Sequence, residues 1–317
     1  MPELPEVQTT AEGLNKLVVG RKIKDAWTDW PKYFSRHKPG KTISDFNKFV
    51  KEKKIEKVSR LGKNILIYLS GDGVVLIHQK MTGHLLVGEW EKREVFKNKN
   101  DIKEKWKDEP WIPKNDNKLL WDPKNRFIRL ILFLDNGEMI ALSDMRRFAK
   151  VLFGSKKEIF SLDDLSKLGP DPTEKDFTFE KFKKLFIPEK GKRKTGRIKQ
   201  VLLDQKFIVG IGNIYADEVL WASCIHPKTK AEKLKDSELK NLFNAIKKIL
   251  KEAIKLKGTS IDDYRDPSGN KGKFGNVKKA YQRDGEKCFR CGTIIKKIKV
   301  GGRGTHFCPN CQKENSK

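Results

Sequence analysis

Apolar residues near the start of the chain recur at the spacing of one helical face. These positions are Val7, Ala11, Leu14 and Val18. Pro5 falls in the first turn of this predicted helix, where its missing N–H carries no cost. The pattern therefore predicts a helix that begins almost at the N-terminus and leaves Pro2 just outside it.

Short β-rich runs without intervening helices replace the helical pattern between residue 55 and about residue 154. The runs are 55–61, 64–69, 74–79, 126–134 and 138–142. Asn136-Gly137 separates the last two runs and predicts a hairpin with a type I′ turn, which needs positive φ angles. The pattern favours an antiparallel β-sandwich or barrel.

Residues 88–124 interrupt the β pattern with a stretch that is rich in lysine, glutamate, asparagine and tryptophan. Because the stretch has no clean period, we interpret it as a solvated insertion in a strand connection. Its tryptophans suggest that part of the insertion packs against the domain; they are Trp90, Trp106, Trp111 and Trp121.

Helical spacing returns after residue 162 and continues through the second half of the chain. The clearest predicted helices are 197–205, 213–223 and 237–257. Asn213 stands where an N-cap belongs. The basic stretch 189–196 precedes these helices and is typical of a solvated connector between domains, although its Lys194 could also reach a phosphate.

The charge balance of the chain indicates what kind of partner the protein binds. The chain has 69 Lys and Arg against 42 Asp and Glu, a formal net charge of +27, which indicates a polyanionic partner. An anionic membrane is the competing partner, but we find no apolar run near the ~18 residues that a spanning helix needs. The acidic, amphipathic N-terminus is also unlike a secretory signal peptide.

Four of the five cysteines form two close pairs near the C-terminus. Cys288-x2-Cys291 and Cys308-x2-Cys311 have the spacing of two zinc knuckles, which together complete a tetrahedral site. Four protein ligands leave no open position, so we expect one structural Zn²⁺ and a reducing environment; iron or an unmetallated pair are the alternatives. The fifth cysteine, Cys224, lies in an apolar helical context and is interpreted as a buried small side chain.

The first six residues are candidates for chemistry as well as for a helix start. If Met1 is removed, Pro2 offers a neutral secondary amine that can form an iminium (Schiff base) intermediate. Glu3 and Glu6 place carboxylates close to this amine, where a carboxylate can carry protons. Taken alone, the same residues are more typical of an ordinary helix start.

Further candidates lie at the ends of predicted strands. Lys63 could meet a phosphate, and large side chains stand near His78, Met81, Arg146 and Phe148. Apolar wedges with an arginine suit a protein that unstacks a base pair and fills the gap. In isolation, Met81 and Phe148 are more typical of core packing.

Two more candidates could hold phosphates in the C-terminal part. Gly210-x-Gly212 precedes Asn213 at a helix start, where backbone N–H groups attract an anion, although such glycines usually only make turns. Residues 294–304 between the cysteine pairs predict a β-hairpin with Arg303 near its tip. Arginine suits bidentate phosphate contact, and the zinc site would make the hairpin rigid.

Taken together, the chain resembles the bacterial formamidopyrimidine-DNA glycosylases over almost its whole length outside the insertion. The resemblance rests on long motifs in the family's order: Met1-Pro2-Glu3-Leu4-Pro5-Glu6-Val7, Arg60-Leu61-Gly62-Lys63, Met145-Arg146-Arg147-Phe148, the run from Leu203 to Glu218, and the run from Gly302 to Gln312. It implies an α+β fold with an N-terminal antiparallel β-sandwich flanked by helices. A helix–two-turn–helix domain with a C-terminal zinc-finger β-hairpin would follow.

The expected domain boundaries follow from the same resemblance. They are a catalytic β-sandwich domain at 1–155, connecting helices and linker at 156–195, a helix–two-turn–helix domain at 196–282 with a lesion-capping loop at about 259–282, and a zinc finger at 283–317.

The resemblance also implies a role for each matching residue. Pro2 would be the Schiff-base nucleophile, Glu3 the proton donor and acceptor, and Glu6 a support for the site. Lys63 and Arg303 would assist elimination and bind phosphate. The remaining implied DNA contacts are Met81, Arg146, Phe148 and Asn213, among which Arg146 would face the orphaned cytosine. We add His78 and Lys194 as DNA contacts from their places at a strand end and in the basic connector.

The implied activity is that of a bifunctional glycosylase and apurinic/apyrimidinic lyase that removes 8-oxoguanine and formamidopyrimidines from duplex DNA. We expect a monomer in the bacterial cytoplasm, bound to double-stranded DNA and not to membrane. Two alternatives remain: an endonuclease VIII-like enzyme for oxidised pyrimidines, and a non-catalytic zinc-ribbon DNA-binding protein. The chain departs from the family where Gln79-Lys80 stands for the usual Leu-Gly.

Overall fold

The computed structural model describes residues 1–35, 41–93, 106, 109–114, 116–261 and 263–314. Two compact units make up the chain. The first comprises Met1–Ser166 and Lys257–Lys273, and the second comprises Lys167–Leu256 and Phe274–Lys317. A segment from the second half of the sequence thus belongs to the N-terminal unit.

The first unit is built from antiparallel strands and short helices. Its helices are α1 (Leu4–Val18), α2 (Lys32–Ser35), α3 (Ile43–Val50), α4 (Lys156–Phe160) and α5 (Asp163–Ser166). Its strands are β1 (Ile23–Thr28), β2 (Ile55–Leu61), β3 (Asn64–Leu69), β4 (Gly73–His78), β5 (His84–Gly88), β6 (Trp90–Lys92), β7 (Trp111–Pro113), β8 (Ile128–Leu134), β9 (Met139–Ser143) and β10 (Lys150–Ser155).

Two four-stranded antiparallel sheets form the predicted sandwich. Their strand orders are β1-β8-β9-β5 and β10-β4-β3-β2. The core between them takes alternate side chains from both sheets because successive residues of a strand point to opposite faces. Helix α1 adds the face predicted from the sequence, with Val7, Leu14 and Val18 completely buried. The predicted helix, the β-rich runs and the α+β class are therefore confirmed.

The outer face of the β1-β8-β9-β5 sheet explains the tryptophans of the insertion. Trp90 and Trp111 pack with Leu86, Ile131 and Ala141 on this face. Trp106 is completely buried in a smaller cluster that also contains Ile112 and Trp121. Part of the insertion is thus an apolar cover for the sheet, as its tryptophans suggested.

The hairpin between β8 and β9 differs from the predicted type I′ turn. Only Gly137 has a positive φ, of 87°, whereas a type I′ turn needs positive φ at both central residues. The Leu134 N–H donates to the carbonyl of Glu138 across a three-residue loop, and the Gly137 N–H donates back to Leu134. Gly137 therefore serves as the left-handed residue of a three-residue connection, and the hairpin itself is confirmed.

The second unit is helical and ends in a two-stranded ribbon. Its helices are α6 (Phe179–Phe186), α7 (Ile198–Leu203), α8 (Asn213–Ala222) and α9 (Asp236–Lys255). Strands β11 (Lys296–Val300) and β12 (Arg303–Phe307) form the predicted hairpin. Gly301 and Gly302 both have positive φ, of 55° and 78°, and make the two-residue turn that brings Arg303 to the tip.

A buried ion pair joins α7, α8 and the ribbon within the second unit. The side chains of Lys199 and Asp217 are fully buried and lie 2.6 Å apart. The Lys199 ammonium also donates to the Gly304 carbonyl and the Thr305 hydroxyl, at 3.0 and 2.8 Å. Asp217 in turn accepts the backbone N–H of His306 at 2.9 Å. The pair thereby fixes the strand that begins at Arg303.

Removing one member of this pair should destabilise the second unit strongly. We expect Asp217→Asn to lower the free energy of unfolding by about 3–5 kcal/mol, because Lys199 would keep a buried charge without its counter-ion. Chemical denaturation followed by circular dichroism measures the change. Glu189→Gln is the matched control, since its pair with Lys184 is exposed to solvent and should contribute little to stability. Equal effects of the two substitutions would contradict the prediction.

Candidate functional site

The N-terminal candidates lie together at the start of α1. Pro2 is buried and precedes the helix, and Glu3 and Glu6 are 2% and 1% exposed. The Glu3 N–H donates to Oε2 of Glu6 at 2.8 Å. Two carboxylates are therefore held beside the position of Pro2, at the positive end of the helix dipole.

The other oxygen of Glu6 is held from the far end of the sequence. The backbone N–H of Thr259 donates to Oε1 of Glu6 at 2.6 Å, and the Tyr264 hydroxyl donates to its backbone carbonyl at 3.2 Å. Burial and the negative charge of Glu6 raise the pKa of Tyr264 well above its ordinary value. The phenol therefore keeps its proton and acts as a donor.

Sequence reasoning missed both Thr259 and Tyr264 as partners of Glu6. They lie more than 250 positions away in the chain, and a backbone N–H leaves no signal in residue type. Gly258, by contrast, does leave a signal in residue type. Its φ is +77°, and a Cβ there would lie 2.6 Å from Oε1 of Glu6. Only glycine allows this close approach.

Positively charged side chains cluster at one end of a sheet, where strands β3 and β10 begin and strand β4 ends. Lys63 precedes β3, His78 ends β4, and Lys150 starts β10 in register with His78. The Lys80 N–H donates to Nδ1 of His78 at 3.0 Å. Burial and the nearby charges of Lys80, Lys63 and Lys150 lower the pKa of His78 to about 3. Because Nδ1 is an acceptor, the neutral ring carries its proton on Nε2, which can donate to a phosphate.

The predicted wedge residues are brought together at the surface of the first unit. Met81 and Phe148 are 48% and 40% exposed. The Arg146 guanidinium lies 4.6 Å from the ring centre of Phe148, and its Nη1 is 3.6 Å from Sδ of Met81. Because both side chains are exposed to this degree, the core-packing alternative does not apply to them.

A buried carboxylate supports the wedge cluster from below. Asp144 is completely buried and accepts the Thr82 hydroxyl at 2.6 Å, the Tyr33 hydroxyl at 3.0 Å and the Ala149 N–H at 2.8 Å. Thr82 also accepts the backbone N–H of Arg146 at 3.1 Å. The backbone that carries the wedge is thus fixed while its side chains remain exposed.

In the second unit, the ribbon and α8 bring two phosphate candidates together. Arg303 is exposed at the start of β12, and Nδ2 of Asn213 donates to the carbonyl of the adjacent Gly304 at 3.1 Å. Asn213 is the first residue of α8 and Gly212 is the N-cap, so the predicted N-cap at Asn213 is wrong by one position. The Asn213 side chain bonds to the ribbon instead of capping its own helix.

Lys194, the remaining basic candidate, contacts a different set of residues. Its ammonium is 3.5 Å from Oδ2 of Asp204 and 5.1 Å from the ring centre of Phe207. The side chain is 33% exposed, so it remains accessible to solvent.

The four cysteines of the two pairs form a site for one metal ion. The sulfur atoms of Cys288, Cys291, Cys308 and Cys311 all lie within 4.8 Å of one another. A tetrahedron of Zn–S bonds of ~2.3 Å requires sulfur atoms ~3.8 Å apart, so the set fits zinc. The Trp221 indole N–H and the Arg290 N–H donate to Sγ of Cys288, as expected around a thiolate ligand. Four ligands leave no position for a substrate, and the zinc is structural.

Cys224 corrects one sequence-based interpretation. The residue is exposed and has a φ of 58°, because it takes the left-handed position that ends α8. The Ile225 N–H reaches back to the carbonyl of Leu220, which completes the helix-ending motif. The prediction of a buried small side chain was therefore wrong.

No helix within the described ranges is both long and apolar enough to cross a membrane.

The fold and the sites define an α+β protein with a zinc ribbon, exposed cations and a buried acidic site next to Pro2. Family models match in order: the formamidopyrimidine-DNA glycosylase N-terminal domain at residues 1–151, the formamidopyrimidine-DNA glycosylase H2TH domain at 168–265, and a zinc finger found in FPG and IleRS at 285–313. The chain belongs to the formamidopyrimidine-DNA glycosylase family.

Individual proteins agree with the family models over the full length. The formamidopyrimidine-DNA glycosylase of Ligilactobacillus salivarius is 38% identical over 312 residues, which cover 98% of this chain and 99% of that protein. Two structures of the Lactococcus lactis Fpg, one with DNA containing an abasic site and one with DNA containing FAPY-dG, each match at 32% identity with a TM-score of 0.78. Both alignments cover 98% of this chain and 100% of the Lactococcus lactis chain.

We expect His78 to stay neutral throughout the physiological range. Its folded pKa of about 3 lies below the ordinary 6.5, so the unfolded state binds the proton first as the pH falls. This group therefore lowers stability progressively from about pH 6.5 down to pH 3. In an NMR titration, the imidazole signal that disappears in His78→Gln should not move between about pH 5 and pH 8. A midpoint near 6.5 would contradict the prediction.

Loss of zinc should weaken the binding of duplex DNA. We expect Cys311→Ala to lose the one zinc per chain and to bind duplex DNA more weakly, because the ribbon that presents Arg303 is no longer braced. Metal analysis and fluorescence anisotropy measure the two effects. Cys224→Ala is the control and should retain zinc, since this thiol is outside the ligand set. Full binding without metal would contradict the prediction.

Proposed function

We propose that this protein is a bifunctional DNA glycosylase and apurinic/apyrimidinic lyase of base excision repair. It removes oxidised purines, 8-oxoguanine and formamidopyrimidines among them, from duplex DNA. The observation that carries the proposal is the buried pair of carboxylates, Glu3 and Glu6, held beside Pro2 at the start of α1. The contact between Glu6 and the Glu3 N–H also belongs to a capping box of α1, but a protein that only binds DNA has no use for the Pro2 amine beside it.

The proposed chemistry begins at the nitrogen of Pro2 after Met1 has been removed. The secondary amine attacks C1′ of the damaged nucleoside, the C1′–N bond breaks, and the base leaves with a proton. The C1′–O4′ bond then breaks, O4′ takes a proton and becomes a hydroxyl group, and the resulting ring-opened iminium acidifies the C2′ proton. Glu3 takes and returns protons at the sugar, and Glu6 holds Glu3 through its backbone N–H.

Two eliminations follow, and hydrolysis of the iminium by water then frees the Pro2 amine. Loss of the C2′ proton expels the 3′ phosphate, and a second deprotonation of the conjugated sugar expels the 5′ phosphate. Lys63 and Arg303 bind the phosphates and assist these departures. No step passes through the zinc ion, which stabilises the ribbon.

The remaining site residues take roles in DNA binding. His78 donates from Nε2 to a phosphate, and Lys194 and Asn213 contribute further phosphate contacts. Met81 and Phe148 fill the gap left by the extruded nucleotide, and Arg146 faces the orphaned cytosine. Extrusion costs a few kcal/mol, less for a damaged base, and this difference contributes to lesion selectivity.

The expected setting follows from this function. We propose a monomer that acts on double-stranded DNA in the bacterial cytoplasm, where reduced thiols keep the zinc ligands available.

Trapping with borohydride tests the proposed nucleophile. We expect wild-type protein to form a covalent adduct with a duplex that contains 8-oxoguanine opposite cytosine, because borohydride reduces the iminium on Pro2. A variant that keeps Met1 should form none, since its Pro2 nitrogen is an amide. Glu3→Gln retains the amine and should lower the rate of trapping by about 10²–10⁴-fold. Intact mass must confirm the N-terminus of each protein.

Two outcomes would overturn the proposed function. One is the absence of an adduct with wild-type protein whose Met1 is shown to be removed. The other is equal trapping by the variant that retains Met1. Release of thymine glycol in preference to 8-oxoguanine would instead assign the enzyme to oxidised pyrimidines.

A further inference from the structure

The insertion at 88–124 contacts the segment that holds Glu6. Asp122 accepts both Nε and Nη2 of Arg265, at 2.9 and 2.8 Å, through the same oxygen. The Arg265 side chain is 4% exposed and that of Asp122 is 21% exposed, so solvent screens this pair little. Nη1 of Arg265 also donates to the carbonyl of Tyr264 at 2.8 Å. The guanidinium thus connects the insertion to the backbone of a Glu6 partner.

The Asp122 carboxylate is itself held in place. Its other oxygen accepts the backbone N–H of Lys124 at 3.0 Å, where Asp122 caps a short helical turn. Although burial opposes ionisation, the Lys124 N–H and the Arg265 guanidinium hold the pKa of Asp122 below its ordinary value. The acceptor is therefore charged and oriented.

Further contacts join the same two segments. The Lys124 ammonium lies 2.9 Å from Oδ1 of Asp263. Gly269 has a φ of +87°, and a Cβ there would lie 3.0 Å from both the backbone and the Cβ of Leu119. The backbone approach is so close that a larger residue than glycine would push the segments apart.

We propose that the insertion is a brace for the active site, in which Asp122 and Arg265 act as positioning residues for Glu6. The brace acts through the segment Lys257–Lys273, whose Thr259 N–H and Tyr264 hydroxyl hold the Glu6 carboxylate and its backbone. Glu6 in turn holds the N–H of Glu3, one residue after the nucleophile. The inference rests on the proposed function, because it assigns the chemistry at the sugar to this end of α1.

The rate of the sugar chemistry is the quantity that this brace should change. We expect Asp122→Asn to lower the single-turnover rate of borohydride trapping on DNA with a preformed abasic site by about tenfold, since a small misplacement of a reacting group is costly. The affinity for uncleavable tetrahydrofuran-containing DNA should change less than twofold, because neither residue is a proposed phosphate contact. Gly269→Ala should act in the same direction without altering any charge.

Matched variants separate this role from a general loss of structure. Glu89→Gln removes another charge from the insertion, whose partner Lys114 lies in the insertion as well, and should leave the rate unchanged. Asp122→Asn combined with Arg265→Met should be no slower than the slower single variant, because both changes break one connection. Thermal melting of each variant identifies any that fails to fold, and Arg265→Lys then tests the same contact with its charge kept.

The abasic substrate decides between this inference and its alternatives. Wild-type trapping rates in Asp122→Asn, Arg265→Lys and Gly269→Ala alike would overturn the brace and leave the proposed function intact. A loss confined to 8-oxoguanine removal, with abasic-site trapping unchanged, would also overturn it, because the segment would then act on the base and not through Glu6. Failure of wild-type protein to trap would refute the proposed function itself.

Discussion

The Glu6 carboxylate is the point at which the N-terminal unit is tied together. One of its oxygens accepts the Glu3 N–H, and the other accepts the Thr259 N–H. A carboxylate that is 1% exposed would be costly without such donors, because its lost hydration must be replaced by hydrogen bonds. The segment Lys257–Lys273 therefore helps to hold the start of α1 in position, together with the core packing of the helix. The position of Pro2 is thus linked, through Glu3 and Glu6, to residues that lie more than 250 positions later in the sequence.

Positive charge in the first unit is concentrated around His78, where strand β4 ends. Lys63, Lys80 and Lys150 all disfavour a further positive charge on His78. Asp164 lies 2.7 Å from Lys150 but is 75% exposed, so it compensates only part of this field. A phosphodiester would lower the repulsion among these groups, and the neutral imidazole could join it as a donor without adding charge. Part of the net charge of +27 is thus concentrated in this cluster around His78, where it does more than keep the protein soluble.

Local signals allowed much of the fold to be predicted, whereas contacts between distant segments did not leave such signals. The face of α1, the strands around Lys63 and His78, and the zinc ligands follow from spacing along the chain, and the structure has them. The predicted turn type at Gly137 and the predicted N-cap of α8 were wrong. A turn dipeptide or a capping residue is compatible with more than one turn type or helix start. The bond between Thr259 and Glu6, like the pair of Asp122 and Arg265, joins backbone or charged groups that look ordinary in the sequence. Only the folded chain brings them together.

The second unit solves a similar positioning problem with different chemistry. Arg303 begins a strand whose next residues are held by the buried Lys199 and by Asp217, while the other end of the ribbon leads to the zinc ligand Cys308. A buried ion pair is rarely an efficient source of stability, since an apolar pair of similar volume often does as well. Its advantage here is directional: the ammonium and carboxylate bind particular backbone groups of the ribbon, which apolar side chains cannot do. The metal site and the ion pair together therefore hold the backbone of the strand that begins at Arg303.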